Sequence, residues 1–381
     1  LVALAGLLVL LAYYLLVWSA VGRDPAPGPI VVRYDPPPGL SPAGMRYLLR
    51  MGFDQTAFAV AMLSLAVKRY LTIKHDGAGY TLVRNPGNNA DLAPDEQVLA
   101  GHLFESEQQI DLSPANYQVV QAAIKATKES LRAAAENIYF VTNRKYVAPG
   151  LVLSTLALLE AILSLPAQQS EVSAFMSVWL AGWSVGVFIL SRMAVAAWHS
   201  LKHGVKSDYS TTSILGAILI TLFGLPFWAG EVVGLGLLVR NGSAWLALLL
   251  AFLVGTNVLF HYLLKVRTLA GRALLDQVEG FRKYFLEDER APMQRLSEPA
   301  IPPELFEEHL PYAVALGVES AWSARFAAAL AEAGKPDYGP DWSVGSDWGS
   351  LGPARFATTV GSGLTSAGAS ASSAPGSSYG G

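Results

Sequence analysis

The sequence predicts a polytopic α-helical membrane protein of about five spans, with a winged-helix-like α+β module, a C-terminal helical module and a disordered Gly/Ser/Ala tail. Three observations predict it. Residues 147–266 are nearly continuous apolar runs, the chain opens on another such run, and the segments between have ordinary globular composition. Of 381 residues, 52% are hydrophobic and only 15% charged, too apolar a balance for a soluble protein of this size. The absence of cysteine excludes structural disulfides and thiolate-bound zinc, haem or iron–sulfur groups.

The first run, LVALAGLLVLLAYYLLVW over residues 1–18, has no basic region before it and no small-residue cleavage site after it. It therefore reads as a span rather than a signal peptide. The missing initial Met and the abrupt apolar start point to a longer protein whose earlier part lies on the other side of the membrane. A bilayer core needs about 20 mainly apolar residues per helix. Residues 147–165, 174–198, 213–239 and 243–266 meet that need. Gly224 and Pro226 can bend the fourth span, but its run of about 27 residues is too short to cross twice, so one long bent helix is expected over a broken one.

Basic residues near span ends favour the cytoplasm. Arg23, Arg144, Lys145, Lys202, Lys206, Lys265, Arg267, Arg272, Arg282 and Lys283 all agree with five spans, an outside N-terminus and cytoplasmic segments at 19–146 and 267–381; only Arg240 dissents. The expected location is the cell membrane, in contact with its lipid.

Residues 19–40 form a linker rich in Pro and Gly. In the module at 41–146, a Ser41-capped helix with Pro42 in its first turn is followed by a longer helix. Two short β-like runs, 71–74 and 80–83, then turn at Asp76-Gly77-Ala78-Gly79. Helix, helix, hairpin is the order of a winged helix, and the amphipathic stretch after it leads into the second span. Nucleic acid is nevertheless disfavoured as a partner. Residues 19–146 hold 13 basic and 12 acidic side chains, and the longest basic cluster on the second helix is Lys68 with Arg69. A protein partner, or further copies of the chain, is favoured.

After the membrane block, residues 267–342 begin with an amphipathic helix whose apolar side holds Leu269, Leu274, Leu275, Val278, Phe281 and Phe285. Pro311 is expected to break the next helix and Gly334 to cap the one after. Eight basic against 13 acidic residues give this module a net charge of −5, which favours docking on protein over adhesion to anionic lipid. The tail, 343–381, is expected to be disordered from Trp348 onward because Gly, Ser and Ala bury too little apolar surface.

Glu160 and Glu231 are the candidate polar site within the membrane, since an ionisable group in lipid is costly and tends to face a partner or water. The competing expectation is that each is solvated near the interface. Arg192 and His261 near cytoplasmic ends are expected to snorkel. His199 and His203 share a helix face at metal-ligand spacing, but Ser, Leu and Lys between them supply neither a base nor a third ligand, so an interfacial role is preferred to a metal site.

The stretches LSPAGMRYLLRMGFDQTAFAVAMLSLAVKRYLTIK, GRALLDQVEGFRKYF and LPYAVALGVESAW, with the small-residue tail, resemble the bacterial predicted membrane proteins grouped as domain of unknown function 2207. The resemblance covers most of residues 30–330. It implies a β-rich extracytoplasmic domain ahead of the first span, a tail usually richer in Gly than this one, and no catalytic residues. No phosphate-binding loop, dinucleotide fingerprint, zincin motif or serine-nucleophile elbow occurs in the sequence, so neither an enzyme nor a cofactor is expected. A membrane-anchored scaffold is the leading expectation. A channel or transporter component using Glu160 and Glu231 is the first alternative, and a membrane-tethered DNA-binding regulator the second.

Overall fold

The computed structural model describes residues 2–76, 79–88, 90–203, 211–241, 244–286, 302–332, 339–345 and 347–372. They belong to two compact units, one made of Leu1–Arg23 and Thr142–Val266, the other of Asp24–Val141 and Arg267–Gly381. The chain passes from one unit to the other three times.

The first unit contains α1 (Val2–Val21), α6 (Val147–Leu163), α7 (Ala167–His203), α8 (Thr211–Asn241) and α9 (Ala244–Leu263). These five helices are long and apolar enough to cross a membrane. Their outer faces carry large apolar side chains, with Leu16 70% and Trp245 78% exposed, a surface suited to lipid and not to water. Helix α1 packs on α6 and α9, and α7 runs along α8. Small residues allow the close approaches. A Cβ at Gly6 would lie 2.6 Å from Ala157 Cβ, and one at Gly234 would lie 2.7 Å from the Trp179 ring. Helix α8 is continuous through Pro226.

The second unit opens with an extended segment and then α2 (Pro42–Arg50) and α3 (Gln55–Val67). Both helices are capped by their own sequence. Ser41 Oγ accepts from Gly44 N at 2.9 Å and Asp54 Oδ1 from Ala57 N at 2.9 Å, each satisfying an otherwise orphaned donor. Strands β1 (Leu71–His75) and β2 (Tyr80–Arg84) form an antiparallel hairpin registered Leu71 to Arg84 and His75 to Tyr80. Residues 77 and 78 of its expected turn lie outside the described residues. Leu71, Ile73, Tyr80 and Leu82 alternate inward, as the pleat requires. Next come α4 (Pro94–Leu103), β3 (Gln109–Asp111) and α5 (Tyr117–Ala135), whose buried Val120, Ala123, Thr127, Leu131 and Ala135 fall on one stripe. After the membrane segments follow α10 (Leu269–Leu286), α11 (Pro303–Leu316), α12 (Glu319–Glu332), β4 (Ser343–Gly345) and α13 (Asp347–Ala371). Strand order is β3, β2, β1, β4, with β4 parallel to β1.

The expected modules at 41–146 and 267–342 are not separate: one hydrophobic core runs from Ala43 and Phe58 through Phe281 and Trp322 to Ala371, and residues 142–146 belong to the first unit. Neither half buries its apolar faces alone. The tail is ordered from Asp347 to Ala371. Glycines let α13 sit close to its neighbours, since a Cβ at Gly363 would overlap the Tyr80 hydroxyl and one at Gly368 would lie 2.8 Å from the Phe58 ring. Pro311 does not break α11, because its ring is buried and packing on both sides outweighs one lost hydrogen bond. Of the expected apolar face of α10, Leu275, Val278, Phe281 and Phe285 are buried and Leu274 is partly so, but Leu269 is 79% exposed. Gly334 and Lys206 lie outside the described residues.

The linker before α2 is extended and tied down along α10 and α11. Gly28 N donates to Asp276 Oδ2 at 2.9 Å, Arg33 N to the Gly280 carbonyl at 3.2 Å, and His309 Nε2 faces the Tyr34 carbonyl at 3.1 Å. Buried charge is concentrated around α4. Glu96 accepts from Lys68 Nζ, Ser64 Oγ and the Ala93 backbone N–H, while neighbouring Asp95 accepts from Ser41 Oγ at 2.9 Å. Burial holds the Asp95 carboxyl above the usual carboxylate range, against the opposing pull of the Ser41 hydrogen bond. A carboxyl raised on folding stabilises the protein below its unfolded value, and that contribution is lost as pH rises through the folded one. Asp95→Asn, which keeps an acceptor for Ser41, is therefore expected to gain stability relative to the native chain as pH rises from acid to neutral. Unfolding midpoints of both proteins measured from pH 4 to 7.5 test this; a mutant-minus-native difference that falls with rising pH contradicts it.

Candidate functional site

The end of the membrane unit where α1 leaves, α6 enters and α9 leaves is organised by one side chain. Asn143 adopts a left-handed backbone (φ +50°), which Asn tolerates better than most residues. From there its Nδ2 donates to the Val21 carbonyl at 3.0 Å and to the Leu264 carbonyl at 3.1 Å. Val21 ends α1 and Leu264 follows α9, so one amide satisfies acceptors that two helix C-termini leave unpaired. The Tyr13 hydroxyl adds a bond to the Tyr146 carbonyl at 2.9 Å.

Deeper in the unit, a polar chain crosses three helices. The Tyr14 hydroxyl of α1 donates to Asn257 Oδ1 of α9 at 2.7 Å. Asn257 Nδ2 donates to Ser154 Oγ of α6 and to its own Leu253 carbonyl, both at 2.7 Å. Ser154 Oγ in turn donates to the Gly150 carbonyl at 2.8 Å. The Tyr14 ring stacks on Phe260 with centroids 4.6 Å apart, and position 150 must be glycine because a Cβ there would overlap the Tyr14 hydroxyl. Each of these polar groups is buried and each finds a partner. A neutral network of this kind joins helices.

The acids singled out from the sequence occupy different surroundings. Glu160 stands on the exposed surface of α6. Glu231 is half-buried between α7 and α8, where its Oε1 accepts from Ser184 Oγ at 2.6 Å and its Oε2 is buried without a hydrogen-bond partner. Trp183 Nε1 donates to the Phe227 carbonyl at 3.1 Å and Trp228 Nε1 to Ser191 Oγ at 2.9 Å along the same helix pair. His199 and His203 lie on the continuous helix α7 at the expected spacing. Among the described residues, no three His, Asp or Glu side chains form a group able to hold a metal. Arg192 sits over the Phe188 ring at 6.0 Å, and His261 meets Tyr262 edge-on.

In the second unit, the two strands of chain next to the crossings at 23/24 and 266/267 are joined. Asp24 Oδ1 accepts from Arg267 N at 2.7 Å and its Oδ2 pairs with Arg267 Nη1 at 3.0 Å.

Sequence reasoning missed Asn143, Tyr14, Ser154 and Asn257 because it searched the spans for charge. The available signal was an amide, Asn257, well inside a 20-residue helix whose one ionisable residue of the Asp, Glu, Lys, Arg and His set, His261, lies in its last turn. Interhelical hydrogen bonds within membranes contribute about 0.6 kcal/mol on average. Asn257→Ala removes two of them, so a loss of about 1–2 kcal/mol is expected in steric-trap unfolding in bicelles. An unchanged unfolding free energy would show that the network contributes nothing to helix association.

No curated protein and no solved structure matches the chain. The family model described as the predicted membrane protein (DUF2207) C-terminal domain matches residues 31–206 and 201–326. The matched residues cover most of both units, and the chain belongs to the DUF2207 family of predicted membrane proteins.

Proposed function

We propose that the protein is a membrane-anchored scaffold whose second unit is cytoplasmic and binds a protein partner or further copies of the chain. The observation that carries this reading is the single core of that unit, assembled from segments on both sides of four membrane helices in the sequence. Such an arrangement makes the fold of the second unit depend on the membrane helices being in place, and so couples the two. The basic residues near the span ends support the cytoplasmic assignment.

The order α2, α3, β1, β2 supports a winged-helix-like reading. The use of that module follows from burial. Ten consecutive residues of α3, Ala57 to Ala66, are buried, so the helix that would enter a DNA groove has no free face. This supports protein contact over nucleic acid. The full chain is expected to show no steeply salt-dependent affinity for duplex DNA.

A second reading, a transporter or channel component, has one observation in its favour: the buried, unpartnered Oε2 of Glu231. Glu160→Gln with Glu231→Gln in liposomes separates the two, since a scaffold predicts that ion and proton flux do not change. The scaffold itself is tested by crosslinking in cells together with the mass of the purified protein. A specific partner or a homo-oligomer is expected. A monomer that captures nothing would overturn the reading.

A further inference from the structure

We propose that Ile138 and Leu269 form one apolar surface that seats in the headgroup layer of an anionic bilayer. Both side chains are large and exposed, Ile138 to 53% and Leu269 to 79%. Single exposed apolar residues need no explanation, but the backbone next to one of these two is fastened to the backbone at the other. Asn137, left-handed at φ +68°, donates its N–H to the Phe140 carbonyl at 2.8 Å and closes a tight turn that includes Ile138. Thr268 then fastens the start of α10 to that turn. Its N–H donates to the Tyr139 carbonyl at 3.0 Å and its Oγ1 to the Ile138 carbonyl at 2.6 Å, while the same Oγ1 caps α10 by accepting from Gly271 N. Gly271 packs so tightly on the Tyr139 carbonyl that a Cβ would overlap it. The backbone therefore holds Ile138 next to the residue that begins α10.

Two facts point to lipid as the occupant. First, Ile138 precedes the membrane-crossing stretch that starts at Arg144 by six residues, and Leu269 follows the one that ends at Leu263 by six. Six residues of fully extended chain reach roughly 20 Å, so both side chains are tethered within that distance of a span end. Second, the connecting residues 138–145 and 264–269 contain Arg144, Lys145, Lys265 and Arg267 and no Asp or Glu. The net charge of −5 over residues 267–342 averages over acids elsewhere in the sequence; near the spans Arg267 is already paired with Asp24, so Arg144, Lys145 and Lys265 are the cations offered to lipid. Basic residues close to an anionic surface contribute about 1 kcal/mol each, and apolar side chains among them add burial at the headgroup boundary.

The chain has no cysteine, so a single introduced thiol reports one position. Ile138→Cys, Leu269→Cys and, as a control, Val344→Cys on exposed β4 would each be labelled with an environment-sensitive fluorophore. The full chain would then be reconstituted in nanodiscs of anionic lipid with and without brominated acyl chains. A loss of about half the emission is expected at 138 and 269, where insertion is shallow, and little loss at 344. The quenching is expected to weaken in zwitterionic nanodiscs. Labels at 138 and 269 that remain unquenched overturn the proposal. Labels shielded from water but unquenched do so too, and identify a protein cover, a second copy included. Quenching that ignores lipid charge removes the basic residues from it. Should either cysteine variant fail to reach the membrane, diazirine-lipid crosslinking of the unmodified chain is expected to label the peptides containing Ile138 and Leu269. Their absence from the adducts would be equally fatal.

Discussion

The structure depends on one side-chain amide at the end of the membrane unit. A helix that stops leaves carbonyls without donors, and near a bilayer core that deficit is costly. Asn143 answers it for two helices at once, taking the carbonyls of Val21 and Leu264. Its left-handed backbone is part of the device, because the same residue must turn the chain into α6 and present its amide backwards. With α1 and α9 fixed there, the Tyr14–Asn257–Ser154 chain locks the same three helices at depth. Helices α7 and α8 are held by a different means, indole rings laid against glycines and indole N–H groups donated to serine and backbone oxygens. The unit thus has a hydrogen-bonded half and an aromatic half.

The second unit is organised around α3, buried along its whole middle. Helices α2 and α4 cover it from the first half of the sequence, and α11 and α13 from the second. Ion pairs mark where the covers meet. Arg46 pairs with Asp54 at 2.7 Å and donates to the Ala315 carbonyl, and Arg69 pairs with Glu307, which also accepts from Trp342 Nε1 at 3.1 Å. Glu307 is buried, so removing either partner would strand a desolvated charge. These contacts give the late segments of the chain a defined seat.

The membrane helices were legible because length and apolarity are local properties, and so were the caps at Ser41 and Asp54. What was not legible depended on partners distant in sequence. Helix α13 is rich in Gly, Ser and Thr and has poor intrinsic helix propensity; its glycines are what allow it to meet Tyr80 and Phe58, a use that composition alone reads as disorder. The local cost of Pro311 within α11 is overridden by its burial. Leu269 follows the apolar period of α10 yet lies at its first position, beyond the reach of the core. Of the candidate site residues, Glu160 and Glu231 stood out by charge, whereas the groups that join the helices are neutral and invisible to a search for ionisable side chains.

The single core of the second unit also has a consequence for synthesis. Residues 24–141 emerge from the ribosome long before their partners, with roughly 125 residues of membrane segment in between. At about 5–20 residues per second, the apolar faces of α2, α3 and α5 wait on the order of ten seconds or more before α10 is made, and longer for α11 and α13. During that interval Phe58 and Met62 lack the late helices that finally cover them. Biogenesis of this protein is therefore a problem of timing, in which a half-built second unit must be kept from aggregating until the membrane segments have been made and the chain returns to it.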